Sequence, residues 1–128
     1  MSVGLGDILE LTERYLAGAT SVATLRDLAK TRGEKYMEYA DSLYQSGTFK
    51  RIILINPIDI SNSPYAQKAK AGSTLTPAVD SVISQITEQF TFGLKTNPPT
   101  YPRNGGVWLF DATNLLLNLP LTTLNVNL

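Results

Sequence analysis

Two residue types are missing from this chain altogether, because none of its 128 residues is histidine or cysteine. Without histidine there is no Ser–His or Cys–His pair in which a base activates a nucleophile, and no imidazole ligand for a metal. Without cysteine there is no disulfide, no thiolate nucleophile and no thiolate metal ligand. The sequence therefore predicts no catalytic residue, no metal site and no cofactor in this chain.

The sequence also has no excess of positive or negative charge and no long apolar run. Eleven basic and eleven acidic residues give a formal net charge of zero, without the Lys/Arg-rich run that nucleic-acid binding requires. No stretch approaches the roughly 20 apolar residues of a membrane span, and Asp7 interrupts the start of the chain before the core of a signal peptide could form. We expect one soluble α/β domain over residues 1–128, with no nucleic-acid partner and no membrane span. The compartment stays open, since many secreted proteins also lack cysteine.

Hydrophobic periodicity predicts two helices. The first begins at Thr20 or Ser21, has a weak point at Gly33 and ends at Gly47, and its apolar residues recur at spacings of three and four. The second is predicted to begin at Thr76–Pro77, with threonine as N-cap and proline in the first helical position. Its apolar stripe consists of Val79, Ile83, Ile86, Phe90 and Leu94.

Two short apolar runs predict buried strands, Ile52–Ile55 and Val107–Phe110, and Asp111 directly follows the second. A run that is apolar on both faces suits a central parallel strand with helices on either side. The order of the elements, with strands too far apart for a hairpin, predicts an α/β fold. We expect a three-layer sandwich with a short parallel sheet flanked by helices.

The remaining segments predict loops and one short helix. Residues 57–74 and 97–106 are rich in Pro, Asn, Ser and Gly and predict loops. Leu115–Leu119 predicts a short helix before Pro120.

Three segments of this chain resemble segments of one enzyme family. After the first strand the sequence reads Asn-Pro-Ile-Asp-Ile-Ser-Asn-Ser-Pro over residues 56–64, and the second strand ends in aspartate. Near the start, residues 4–7 read Gly-Leu-Gly-Asp. These segments resemble the interior of the GDSL-type (SGNH) ester hydrolases, in which an aliphatic strand runs into a Pro-Asp-Leu-Gly-x-x-Pro loop and an earlier block reads Gly-x-Asn-Asp.

The resemblance implies which residues would face a substrate. It implies Ser-mediated hydrolysis of small carboxylic ester or lipid substrates, without metal or cofactor, and it is compatible with secretion. The oxyanion-loop candidates are Gly4, Gly6 and Asp7. The substrate-pocket candidates are Asn56, Ile58, Asp59, Ser61 and Pro64.

The chain departs from the family at the positions that matter most for chemistry. Gly6 stands where the family has the asparagine that donates to the oxyanion, and Ser61 stands where it commonly has glycine. The Gly-Asp-Ser-Leu nucleophile block and the Asp-x-x-His block do not occur in this sequence. The resemblance therefore implies the central portion of an SGNH-like domain, inactive as this isolated chain. Such a portion would leave a sheet edge open, through which we expect self-association.

Simpler interpretations stay open beside the family. In the simpler interpretation of Asp59 and Asp111, each carboxylate caps the turn or helix that follows its strand. Gly4 and Gly6 are equally compatible with a flexible N-terminus. For the chain as a whole, the alternative is a non-catalytic α/β binding or protein-interaction domain.

Overall fold

The computed structural model describes residues 2–95 and 106–112. These residues form four helices and two strands. In chain order the elements are α1 Leu5–Leu16, α2 Val22–Gln45, β1 Ile52–Ile55, α3 Pro64–Ala71, α4 Val79–Lys95 and β2 Val107–Phe110. The predicted mixed α/β fold is confirmed, with far more helix than strand. None of the helices in these ranges has the length and apolar content to cross a bilayer.

The two strands pair in parallel, as predicted, with Ile55 of β1 opposite Phe110 of β2. The start of the chain joins the other side of β1, where Ser2 forms a parallel bridge with Ile55. The Val3 N–H donates to the Ile55 carbonyl at 3.0 Å. Because all three segments run in one direction, their carboxyl ends meet at the same edge of the sheet, where open α/β folds bind ligands. We call this the carboxyl edge.

Among the described residues, helices cover one face of the sheet. Leu54 and Val107 point into the core and are fully buried, and α2 contacts both strands. The opposite face carries Ile53, Trp108 and Phe110, which are 46%, 43% and 52% exposed. The second layer of helices that a three-layer sandwich requires is not found in residues 2–95 and 106–112, so that part of the prediction is not confirmed.

The core is built mainly between α2 and α4, which approach until their backbones touch. A Cβ added at Gly33 of α2 would lie 2.2 Å from the Phe90 carbonyl oxygen, and one added at Gly93 of α4 would lie 2.1 Å from the Lys30 carbonyl oxygen. The predicted weak point at Gly33 is therefore wrong, since α2 runs unbroken through it. The cost of an interior glycine, about 1 kcal/mol relative to alanine, is offset by the close packing that it allows.

The ends of α2 lie where the sequence predicts them. The Ser21 side chain accepts the Thr24 N–H at 3.2 Å and caps the N-terminus. The helix ends at Gln45, two residues before Gly47, whose φ of 79° is left-handed.

The start of α4 differs from the prediction. The helix begins at Val79 rather than at Thr76–Pro77, and the Val82 N–H donates to the Ala78 carbonyl at 3.2 Å. The Pro77 carbonyl instead accepts the phenol of Tyr15 at the end of α1. The predicted apolar stripe of α4 is fully or almost fully buried.

Two helices lie where the sequence analysis predicted none. The prediction of a loop over residues 57–74 is wrong for Pro64–Ala71, which form α3. Ser63 caps this helix by accepting the Ala66 N–H at 3.2 Å, and Pro64 lies in its first turn. The second is α1, at the start of the chain. The predicted loop at 97–106, apart from Gly106, and the predicted helix Leu115–Leu119 lie outside the described residues.

Candidate functional site

The carboxyl edge is organised around Asn56, the residue that follows β1. Its side chain is almost completely buried, at 1% exposure. Its Nδ2 donates to Thr91 Oγ1 at 2.9 Å and to Asp111 Oδ1 at 3.1 Å, and its Oδ1 accepts the Ala112 N–H at 2.6 Å. The amide thus joins the ends of both strands to α4. Asn56 positions the edge rather than facing a ligand directly.

Asp59 holds the loop after β1 in shape. Its Oδ1 accepts the Ser61 N–H at 2.9 Å, and its Oδ2 accepts the Ser84 hydroxyl of α4 at 2.8 Å. The turn-capping interpretation of Asp59 agrees with the first of these bonds. The second bond also brings the carboxylate to the wall of a cleft, so the same residue has a structural role and a place in the candidate site.

This cleft, of about 510 Å³, lies along α4 between the ends of the two strands. Its polar wall includes Asp59, Ser84, Thr87, Glu88, Lys95 and Asp111. In this wall Lys95 Nζ lies 2.5 Å from Asp111 Oδ2. Thr87 is 5% exposed, and its hydroxyl has no hydrogen-bond partner within the described part of the chain. A wall of three carboxyl groups and one amino group disfavours anions and suits neutral or cationic polar groups.

The α4 residues of the cleft went unnoticed in the sequence, although a signal for them exists. Ser84, Thr87, Thr91 and Lys95 recur at spacings of three and four, which places them on one face of the helix. This polar stripe runs beside the apolar stripe that the sequence analysis followed. A hydrophobic pattern alone does not distinguish a polar face that lines a cleft from one that meets solvent.

The oxyanion-loop candidates lie at the start of α1 and not in this cleft. Gly4 is the residue before the helix, with a φ of 97°, and a Cβ there would lie 2.6 Å from the Phe90 ring. Gly6 and Asp7 belong to the first turn of α1, and the space beside Gly6 is open. Asp7 faces a second cavity, of about 260 Å³, formed with α2. Of the two candidate groups, Asp59 therefore lines the cleft along α4 and Asp7 lines a separate cavity.

An ion-pair network fixes Asp7 in that second cavity. Arg32 Nη1 lies 3.1 Å from Asp7 Oδ1 and 2.8 Å from Glu10 Oε2. The hydrogen bond from Arg32 lowers the pKa of Glu10, and its acidic partners raise the pKa of Arg32, chiefly through the bond to Glu10. Burial, and then the nearby Asp7 carboxylate, raise the pKa of Tyr36. Asp7 is therefore engaged with its neighbours on α2.

The remaining pocket candidates are distributed along the loop and α3. Ile58 and Ser61 are partly buried, and the Ser61 carbonyl accepts the Gln67 side-chain amide at 3.0 Å. Pro64 is exposed in the first turn of α3. Its position is explained by helix initiation, since proline fits the first turn without loss of a backbone hydrogen bond.

The described side chains of the cleft supply hydroxyl, carboxyl and amino groups for polar contacts. The Ser84 hydroxyl donates to a carboxylate, and carboxylates are ordinarily much weaker bases than imidazole, so this pair does not form an activated nucleophile. Within residues 2–95 and 106–112, no group of three or more acidic side chains is arranged to hold a metal ion.

Comparisons with models of protein families, with curated proteins and with solved structures find no match to this chain. The functional interpretation therefore depends on the residues and geometry described above.

Proposed function

We propose that this chain is the central portion of an SGNH-like ester hydrolase domain. It supplies part of the binding surface for a small ester or lipid substrate, and the full domain is a three-layer α/β sandwich. The chain supplies neither the nucleophile nor the base, so it binds without turnover.

The observation that carries this proposal is the common edge of three parallel segments. Ser2 pairs with β1 and β1 pairs with β2, all in parallel. Gly4, Asn56 and Asp111 follow these segments directly, so the three stretches that resemble the family lie at one edge. Substrates of open α/β folds bind at such an edge.

Each stretch would contribute a different part of the binding surface. The loop from Ile58 to Pro64 supplies the partly buried apolar Ile58 beside the acidic Asp59, which suits an acyl chain next to a polar ester group. Backbone N–H groups in the first turn of α1, at Gly6 and Asp7, have no partner inside the helix by geometry and suit an ester oxygen. Gly6 offers no side-chain donor of its own.

Calorimetric titration with ethyl butyrate, a short neutral ester, tests this proposal. We expect saturable binding to the full chain and a weakening of it in Ile58→Ala, because the variant removes apolar surface from the loop after β1. Ile53→Ala is the matched control, since it removes the same atoms from the opposite face of the sheet. Equal affinities for the two variants, or no binding at all, would contradict the proposal.

A second candidate function is a non-catalytic domain that binds a polar small molecule. The observation that favours it is the 510 Å³ cleft, whose wall carries acidic and hydroxyl side chains beside the ring of Phe92. The buried Thr87 hydroxyl, without a partner in the described residues, offers an additional polar contact.

The same calorimetric experiment separates the two candidates when a neutral polyol such as xylitol replaces the ester. Binding of the polyol that is lost in Glu88→Gln and retained in Ile58→Ala would favour the polar binding domain. Binding of the ester alone would favour the SGNH-like interior.

A further inference from the structure

Three hydroxyl side chains of α4 form a row along the 510 Å³ cleft, and the middle one is unpaired in the described part of the chain. Ser84, Thr87 and Thr91 recur at spacings of three and four, which places them on one face of the helix. All three line the cleft. We call them the hydroxyl row.

The two outer members of the hydroxyl row are bonded to residues that follow β1. The Ser84 hydroxyl donates to Asp59 Oδ2 at 2.8 Å. Thr91 Oγ1 accepts a hydrogen bond from Asn56 Nδ2 at 2.9 Å. Thr87 lies between them and is 5% exposed, and its Oγ1 has no hydrogen-bond partner within the described residues. Because buried hydroxyl groups ordinarily have a partner, the hydroxyl row has one position that is suited to bind a ligand atom.

The same cleft contains two acidic side chains without a basic partner in residues 2–95 and 106–112. Lys95 pairs with Asp111, whereas Asp59 and Glu88 form no ion pair with a described residue. Glu88 follows Ser84 by four residues, so it extends from the helical turn next to the contact of Ser84 with Asp59. Two acidic groups without a counter-charge favour a cation at this point of the cleft.

The exposed ring of Phe92 gives the cleft an apolar surface beside these polar groups. Phe92 lines the cleft and is 53% exposed. Lys30 Nζ lies 5.2 Å from the centroid of this ring and 4.0 Å from Glu34 Oε1. The Lys30 contact is a cation–π interaction, and Lys30 has its own acidic partner outside the cleft.

We propose that the cleft binds the primary ammonium group of a small organic cation. Asp59, Glu88 and Thr87 Oγ1 accept its hydrogen bonds, and the Phe92 ring contacts its carbon chain. A primary ammonium group has three N–H donors and no acceptor, which matches two carboxylates and one hydroxyl oxygen. This inference rests on the second candidate function and narrows its polar ligand to an amine. A bare metal ion fits less well, since the described residues contain no cluster of three or more metal-ligating side chains.

Amide chemical-shift titrations of the full chain with three propyl probes at constant ionic strength test the proposal. Propylammonium has the charge and the N–H donors, 1-propanol lacks the charge, and trimethylpropylammonium has the charge without an N–H donor. We expect saturable shifts in residues 84–92 with propylammonium and binding of the other two probes that is about tenfold weaker. Equal affinities for the three probes, or no saturable shift with propylammonium, would overturn the proposal.

Thr87→Val removes the unpaired hydroxyl and keeps the shape of the side chain. We expect this variant to bind propylammonium about threefold to tenfold more weakly. It should also raise the urea midpoint of unfolding, because it removes a buried polar group without a partner. Thr31→Val, at an exposed position of α2, is the matched control and should bind as the unaltered chain does. Equal affinities in the two variants, or a lower urea midpoint for Thr87→Val, would overturn the proposal.

The outcomes for this inference differ from those for the proposed functions. Xylitol binding that depends on Glu88, without a preference for propylammonium among the propyl probes, would overturn the inference and leave the polar binding domain supported. Propylammonium binding that Thr87→Val weakens, in a chain that binds neither ethyl butyrate nor xylitol, would support the inference and exclude the ester and the polyol as ligands.

Discussion

At the scale of single residues, Asn56 has the most consequential side chain of the carboxyl edge. A buried amide that donates twice and accepts once satisfies groups on α4 and in the two residues that follow β2. Buried polar groups are costly when a partner is removed, at about 1–3 kcal/mol for each group left unpaired. The stability of the edge therefore depends on this asparagine.

Asn56→Ala should lower the free energy of unfolding by at least about 1–3 kcal/mol, because it leaves the buried Ala112 N–H without its acceptor. Urea denaturation of the full chain measures this change. Asn62→Ala removes the same side chain from an exposed loop position and should change stability by no more than about 0.5 kcal/mol. Similar losses in the two variants would contradict the structural role of Asn56.

Tyr65 gives the chain a pH-dependent contribution to stability. Burial, followed by the hydrogen bond to Glu13, raises the pKa of its phenol from 10.0 to about 12. Because the pKa is higher in the folded state, this contribution is fully present below pH 10 and is lost as the pH rises through about 12. Tyr65→Phe should therefore flatten the decline of stability across this interval in denaturation curves. The same substitution at Tyr39, which is 58% exposed, is the control, and an equal flattening there would contradict the assignment.

At the scale of elements, the contact of α2 with α4 determines where the cleft lies. The Gly33 and Gly93 crossing allows the two backbones to touch. This crossing buries Phe90 and turns the polar stripe of α4, including Thr91, toward the ends of the strands. The helix pair thus supplies the core on one side of α4 and the wall of the cleft on the other.

Gly33→Ala should destabilise the chain by about 1–3 kcal/mol, because the added methyl group overlaps the Phe90 carbonyl and forces the helices apart. Gly6→Ala is the same substitution in α1, where a Cβ meets no atom within 4 Å. It should stabilise the chain by up to about 1 kcal/mol through helix propensity. Thermal unfolding of both variants measures the difference, and effects of the same sign would contradict the described crossing.

Elements with strong periodicity could be predicted from the sequence, and those that depend on tertiary contacts could not. The long helix capped by Ser21 was predicted from its cap and its apolar periodicity. The two strands were predicted from their short apolar runs. The start of α4 was misplaced because the bond from Tyr15 to the Pro77 carbonyl connects residues far apart in the chain. The helix α3 was missed although Ser63 and Pro64 are the same cap-and-proline signal that was accepted at Thr76–Pro77.

Only one part of the candidate site was predicted from the sequence, the loop that directly follows β1. Asp59 was identified from the loop that follows β1, and it lines the cleft. Ser84, Thr87 and Lys95 were not identified, since their contribution depends on which face of α4 meets the sheet. Asp7 was predicted from the family resemblance as an oxyanion-loop candidate. In the structure it pairs with Arg32 beside another cavity.

At the scale of the whole molecule, the proposed binding edge belongs to a chain that has no histidine. The parallel sheet gathers three chain segments at that edge. Its cleft contains hydroxyl groups and carboxyl groups, but the chain has no histidine to act as a base. The role that we propose is therefore binding without turnover.

The purified chain should show no hydrolysis of short-chain nitrophenyl esters above background. A serine hydroxyl reacts slowly at neutral pH unless a base takes its proton, and neither histidine nor a Ser-x-x-Lys spacing occurs in the sequence. The release of nitrophenolate measures this directly. Turnover that survives purification and disappears in Ser84→Ala would show that the cleft is catalytic.

The central claim, that the carboxyl edge is the ligand-binding side of this chain, is tested most directly by mapping amide chemical shifts during titration with ethyl butyrate. The account predicts saturable shifts in residues 4–7 and 58–61 and at Asp111, with little change at Ile53 and Trp108. Shifts confined to the exposed sheet face of Ile53, Trp108 and Phe110, or spread evenly over the helices, would contradict it.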